Sequence, residues 1–225
     1  LELGGSDPFI VLEDADVEKA SKKAITARFF NTGQSCIAAK RFLVHEYVYD
    51  AFINNVKKHI DNLVIGDALN EETQIGPLAK KEFAQEIDQI VKSSIKDGAQ
   101  CIIGGSVNGC YYMPTLLVDV KENMSVFKQE TFGPVFCVTK IKDAEDGVRL
   151  ANQSKYGLGG SLWTSNIELA KKLTKKIDTG AIFINDMTKS DPRLPFGGIN
   201  KSGYGIELSK FGIREFVNTK TIVIN

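Results

Sequence analysis

The chain has 225 residues, 43% of them hydrophobic and 25% charged, and its 28 Lys+Arg balance 28 Asp+Glu. That is enough chain for one large core in ordinary globular proportions, and the zero net charge argues against nucleic acid or an anionic membrane as partner. No apolar run reaches the roughly 18 to 20 residues that span a bilayer, and the opening LELGGSDP is neither basic nor apolar enough for a signal peptide; a soluble, cytoplasmic protein is expected.

In chain order, Val17, Ala20, Ala24 and Ala27 form one stripe over residues 16–30, with Asp14 and Asp16 as candidate caps. This predicts a helix ending near Asn31-Thr32-Gly33. Residues 39–45 read as a strand, and Val48, Phe52, Val56 and Ile60 mark a second helix. A third runs over 78–97, its apolar face set by Phe83, Ile87, Ile90 and Val91, with Gly98 placed for a left-handed cap. AQCIIGG, from Ala99, reads as a short buried strand. Further strands are predicted at 113–118, 134–141, 158–163 and 181–185, with helices near 143–153 and 166–176. Continuously apolar strands alternating with helices predict an α/β fold of three layers, a mostly parallel sheet with helices on both faces. The last segment, REFVNTKTIVIN, has strand propensity throughout and is expected to leave the body and pair elsewhere.

The cysteines Cys36, Cys101, Cys110 and Cys137 are widely spread, with only His45 and His59 to assist a metal. Neither a disulfide scaffold nor a metal site is expected, and both histidines are assigned surface or packing roles.

Four glycine-marked stretches occur in order: LELGGSDP at 1–8, NTGQSC at 31–36, ETFGPV at 130–135 and PFGGINKSGYG at 195–205. Any one alone is consistent with a turn. Together they resemble the C-terminal, thiol-bearing half of the aldehyde dehydrogenase superfamily over essentially the whole chain. The separation of 34 positions from Glu2 to Cys36 fits that family's spacing of general base and nucleophile. CIAAKRF with SDPRLPFGG is most similar to enzymes acting on succinic semialdehyde, or on glyceraldehyde and lactaldehyde.

The resemblance implies that Cys36 attacks the aldehyde carbon, forming a thiohemiacetal and then a thioester, and that Glu2 is the candidate base for the water that releases the acid and for activating the thiol. It implies that Glu130 holds the nicotinamide ribose, that Phe132 packs beside the ring, and that Phe196 lines the aldehyde tunnel. Ser190 matches a serine that contacts the substrate carboxylate, and Arg193 lies close by. Many succinic semialdehyde dehydrogenases carry an arginine six residues before the nucleophile, where this chain has Phe30. Arg28 would point about 200° away on a helix.

Family members carry a dinucleotide-binding domain ahead of the glutamate motif, and no stretch here supplies a phosphate-cradling turn; GGSVNG at 104–109 opens no periodic helix. The expectation is therefore a piece of an NAD- or NADP-dependent enzyme, with residues 1–190 the thiol domain and 191–213 a Gly-rich segment that packs against the cofactor domain. By resemblance, 214–225 form a tail strand that joins subunits into a homo-oligomer. These residues alone are expected to bind neither cofactor tightly and to be inactive as a dehydrogenase. The alternative is a cofactor-free module with an assembly role and at most thiol esterase activity.

Overall fold

A computed structural model describes residues 1–225. In chain order its elements are β1 (Asp7–Val11), α1 (Val17–Phe29), β2 (Ala39–His45), α2 (Tyr49–Asp61), α3 (Lys81–Lys96), β3 (Gln100–Ile103), β4 (Val107–Asn108), β5 (Tyr111–Tyr112) and β6 (Thr115–Val118). There follow α4 (Ser125–Lys128), β7 (Val135–Ile141), α5 (Ala144–Asn152), β8 (Tyr156–Gly157), β9 (Ser161–Trp163), α6 (Ile167–Thr174), β10 (Phe183–Ile184), β11 (Ile199–Asn200) and α7 (Ser209–Gly212).

Seven strands form one sheet in the order β10-β9-β1-β2-β7-β6-β3. Every neighbouring pair is parallel except the antiparallel edge pair β3–β6. The central strands are mostly apolar and almost wholly buried because both faces are covered. On one face Phe9, Val11, Phe42 and Phe136 pack with Ala20 and Ala24 of α1 and Phe52 and Val56 of α2, and the Phe42 and Phe136 rings stack at 3.6 Å. On the other, Ile10, Leu43 and Cys137 pack with Ile87 of α3, Val148 of α5 and Leu173 of α6. The α/β architecture read from the sequence is the one observed.

Details differ for physical reasons. The interior strand β1 is not among the predicted elements: Gly4-Gly5 and Asp7-Pro8 disguise a five-residue buried run. Asp16 caps α1 by accepting from the Lys19 N–H, whereas Asp14 accepts from Thr164, Ser165 and Asn166 ahead of α6. In α3 the buried stripe is Ala84, Ile87, Val91 and Ser94, small residues that let the helix sit close, and Phe83 is turned outward at 38% exposed. Gly98 takes the left-handed conformation expected of a cap (φ 109°). The strand expected to be buried, β3, is a largely exposed edge, because it pairs on one side only. GGSVNG leads into the β4–β5 hairpin and no helix.

Residues 196–207 fold back on the start of the chain. The Leu3 N–H donates to the Ser202 carbonyl (2.9 Å) and Tyr204 N–H to that of Leu1 (3.1 Å). The Ser202 hydroxyl accepts from Gly157 N–H and donates to the Gly4 carbonyl. Gly203 (φ 132°) is required here, since a Cβ would overlap the Leu1 carbonyl. Beyond a short turn at Ile213–Phe216, residues 217–225 are exposed and join no strand of this chain. No helix is long and apolar enough to cross a membrane.

Because β1, β2 and β7 run parallel, the segments that enter them emerge at one edge of the sheet. Glu2, Cys36 and Glu130 lie in those three segments.

Candidate active site

After α1 the chain turns through three successive left-handed residues, Asn31 (φ 50°), Thr32 (φ 57°) and Gly33 (φ 74°). Glycine takes this region freely, asparagine tolerates it, and a β-branched threonine does not unless held. The holding contacts are present: Thr32 Oγ1 accepts from Gly76 N–H (3.1 Å), Asn31 Nδ2 donates to the Gln34 carbonyl (2.9 Å), and Gln34 Oε1 accepts from Ala79 N–H (3.0 Å). Beneath them the buried Arg28 guanidinium donates to the carbonyls of Ala39 (2.9 Å), Thr131 (2.8 Å) and Gly133. It thus ties this turn to the segment carrying Glu130.

At the end of this turn the Cys36 thiol is half-buried and donates to Glu2 Oε1 at 3.4 Å. The Cys36 backbone N–H donates to no group of the chain. Burial, and then the Glu2 carboxylate beside it, push the thiol up to about 11; the Ile37 N–H and the Lys40 charge pull the other way. Gly4 and Gly5 permit this approach, since a Cβ on Gly5 would overlap the Cys36 carbonyl oxygen and one on Gly4 the Glu130 carboxylate.

Glu130 Oε1 accepts from Gly5 N–H (3.0 Å) and lies 3.6 Å from Lys40 Nζ. Lys40 also sits 6.0 Å from the Phe132 ring centroid. Below them Asp7 accepts from Gly159 N–H (3.0 Å), its carboxyl pushed up to about 6 by burial against the opposing pull of Lys40. Arg41, also buried, donates to the carbonyls of Ser6, Leu150 and Ala151. A thiol, two carboxylates and a buried ammonium thus converge at the edge where β1, β2 and β7 begin.

The pattern of the aldehyde dehydrogenase family matches residues 1–222. The chain belongs to that family. It is 51% identical over 227 residues to a probable succinate-semialdehyde dehydrogenase (NADP(+)) of Synechocystis sp., covering 100% of this chain and 50% of that protein. It is 43% identical over 225 residues to succinate semialdehyde dehydrogenase (NAD(P)+) Sad of Escherichia coli, covering 99% of this chain and 49% of that protein. Among solved structures, glyceraldehyde-3-phosphate dehydrogenase GapN of Methanocaldococcus jannaschii, complexed with NADP, superimposes with a TM-score of 0.96 at 36% identity, over 100% of this chain and 49% of that one. The chain spans about half the length of the curated relatives it matches.

Of the site residues expected for an aldehyde dehydrogenase, Cys36, Glu2, Glu130 and Phe132 come together as described. Phe196 is buried and shares with Glu2 a cavity of about 290 Å³, lined also by Tyr204, Glu207, Glu215 and Phe216. Ser190, Arg193 and Phe30 are not drawn into this group. Ser190 is exposed on a loop, the Arg193 guanidinium is bound to Asp191 through two hydrogen bonds, and Phe30 is 63% exposed. Sequence reasoning weighed Arg28 only as a stand-in for a substrate-binding arginine, and it passed over Lys40, Arg41 and Asp7. Lys40-Arg41 did carry a signal: two adjacent charges inside a strand that is otherwise apolar need buried partners.

Proposed function

We propose that this chain supplies the thiol and the general base of an NAD(P)-dependent dehydrogenase that converts a small aldehyde to its carboxylic acid. The observation that carries this reading is the contact of Cys36 Sγ with Glu2 Oε1, with Glu130 and Phe132 alongside. The Cys36 thiolate attacks the carbonyl carbon, a C–S bond forms, and the carbonyl π electrons move to oxygen, where the free Cys36 backbone N–H donates. A bound nicotinamide cofactor supplies the hydride acceptor. Departure of hydride leaves a thioester on Cys36. Glu2 then takes a proton from water, the hydroxide attacks the acyl carbon, the C–S bond breaks, and acid and thiolate part.

The residues present suit the nicotinamide end of such a cofactor. Glu130 is a fixed, partly exposed acceptor for vicinal ribose hydroxyls, and Phe132, 42% exposed, offers a ring for the flat heterocycle. The relatives' names include both NADP(+) and NAD(P)+, and either cofactor is consistent with these contacts.

Succinic semialdehyde is the first candidate substrate, from the relatives' names. One observation favours a second reading, an uncharged hydroxyaldehyde such as glyceraldehyde or lactaldehyde. The cavity beside Glu2 also carries Glu207 and Glu215, Phe30 offers no charge, and Arg28 is buried with its terminal nitrogens on main-chain carbonyls. A panel of these aldehydes assayed on the natural gene product decides between the two.

The nucleophile assignment is tested by limiting iodoacetamide with peptide mapping. Cys36 is expected to be labelled first, and prior labelling of Cys101 or Cys137 would remove it. We also assign residues 214–225 to contact with a neighbouring subunit, because Ile222, Val223 and Ile224 are exposed and unpaired in this chain. Deleting 214–225 is expected to lower the oligomeric state seen by light scattering; an unchanged mass would end that assignment.

A further inference from the structure

The Lys40 side chain is 0% exposed. Its three protons go to three carbonyls of one turn: those of Ser35 (3.1 Å), Cys36 (3.0 Å) and Ala38 (3.0 Å). An ammonium has three donors, so its hydrogen-bonding capacity is fully used. None of the three acceptors is a carboxylate, and the positive charge is left to act on what lies around it. From the segment before β7 that is Glu130, at 3.6 Å; from β1, Asp7; from α1, the like-charged Arg28; and from the turn itself, the Cys36 thiol, with Glu2 on its far side. Burial, and then Arg28, lower the ammonium to about 8, so it is charged near neutral pH.

A lysine is costly at such a position. A methionine would fill the same volume without desolvating a charge, and turn carbonyls are ordinarily satisfied by water or by backbone N–H groups. Here they are gathered around a cation directly behind the nucleophile. The grip on the Cys36 carbonyl fixes the Cys36–Ile37 peptide, whose Ile37 N–H favours negative charge on the sulfur.

We propose that Lys40 is a positioning residue for the nucleophile: a buried cation that clamps the 35–38 turn through its carbonyls and stabilises negative charge on the Cys36 sulfur. This rests on the reading of Cys36 as nucleophile. Lys40 does not touch the reacting atoms; it acts through the Cys36 backbone and through its field.

The test is the rate of Cys36 alkylation by iodoacetamide as a function of pH, followed by peptide mapping, in the wild type and in Lys40→Met, Lys40→Gln and Lys40→Arg. A neighbouring opposite charge lowers an acid's pKa by about 1 to 3 units. Loss of the ammonium is therefore expected to slow Cys36 alkylation about tenfold or more near pH 7. Lys40→Arg keeps the charge and is expected to stay within about threefold of wild type, a margin well inside one unit of pKa. Should Lys40→Met not fold, Lys40→Gln carries the test, since its amide still donates to the turn carbonyls without the charge. A purely structural clamp would move thermal stability and leave the pH profile in place. The proposal is overturned if folded Lys40→Gln alkylates with the wild-type profile, or if Lys40→Arg slows as much as Lys40→Met. Labelling of Cys101 or Cys137 ahead of Cys36 in the wild type would instead remove the nucleophile reading and this inference with it, so the two failures are distinct.

Discussion

Cys36→Ser is expected to reduce aldehyde oxidation by the natural gene product at least about 10⁴-fold, the scale of loss when a covalent nucleophile is removed, while NAD or NADP binding is retained. The substitution changes one atom at a place where the backbone is fixed independently of it. Lys40 holds the Cys36 carbonyl, not the sulfur, and Asn31, Thr32 and Gln34 are anchored by their own hydrogen bonds. A serine therefore enters the same turn, but its hydroxyl is a far weaker acid and no base within the site is strong enough to ionise it. Glu130 Oε1 is positioned by Gly5 and Lys40, and Phe132 lies beside Lys40, so the proposed cofactor contacts do not pass through the thiol. Formation of reduced cofactor, followed by its absorbance, measures the loss, and cofactor titration by fluorescence supplies the control. Normal turnover in a folded Cys36→Ser protein would rule the mechanism out.

The helices were readable because their apolar spacing is set by what they cover. Ala20, Ala24 and Ala27 of α1 and Phe52, Val56 and Ile60 of α2 are all buried against the sheet, as a helical period requires. β2 and β7 were readable as mostly apolar runs, interrupted by Lys40-Arg41 in the one and Thr139-Lys140 in the other. β1 was not, although it lies between β9 and β2 inside the sheet, because its entry is shaped by the site and not by the sheet: Gly4 and Gly5 let Cys36 and Glu130 approach, and they read as a turn. The outward rotation of Phe83 had a similar cause, since the choice between two overlapping stripes on α3 was made by the small residues Ala84 and Ser94, whose value depends on a neighbour's distance.

The site was legible in its acceptors and thiol and illegible in its cations. Glu2, Cys36, Glu130 and Phe132 stand in short glycine-marked motifs, and the parallel sheet collects them at one edge. Arg28, Lys40 and Arg41 donate almost entirely to main-chain carbonyls. Carbonyls carry no sequence identity, so no residue pattern announces their partners. The expected substrate residues fared differently again: Ser190 and Arg193 belong to a loop whose charged side chains pair locally, Arg193 with Asp191 and Lys189 with Asp186. Local pairing there outweighs any pull toward the thiol within this chain.

Glu2→Gln is expected to move two measurements in opposite directions. As the base for thioester hydrolysis, Glu2 contributes on the order of 10² to 10⁴ in rate, and steady-state turnover should fall by that amount. Hydride departure precedes the step that needs Glu2, so the variant should give one rapid burst of reduced cofactor and then stall as the acyl-enzyme accumulates. Alkylation of Cys36 should become faster. The Glu2 carboxylate, 3.4 Å from the sulfur, is the largest cause after burial of a thiol pushed up to about 11, and a neutral amide removes that negative charge. The thiol then becomes more acidic, and at fixed pH near 7 the thiolate fraction rises tenfold for each unit by which its pKa falls. Were Glu2 instead the group that takes the thiol's proton, the same substitution would slow alkylation and shrink the burst. Stopped-flow traces and alkylation rates on one preparation separate these outcomes. Unchanged steady turnover without a burst would remove Glu2 from the hydrolytic step altogether. The contact seen between Glu2 and Cys36 is on this account a resting arrangement, in which the carboxylate holds the thiol protonated until an aldehyde displaces it toward the water it will later activate.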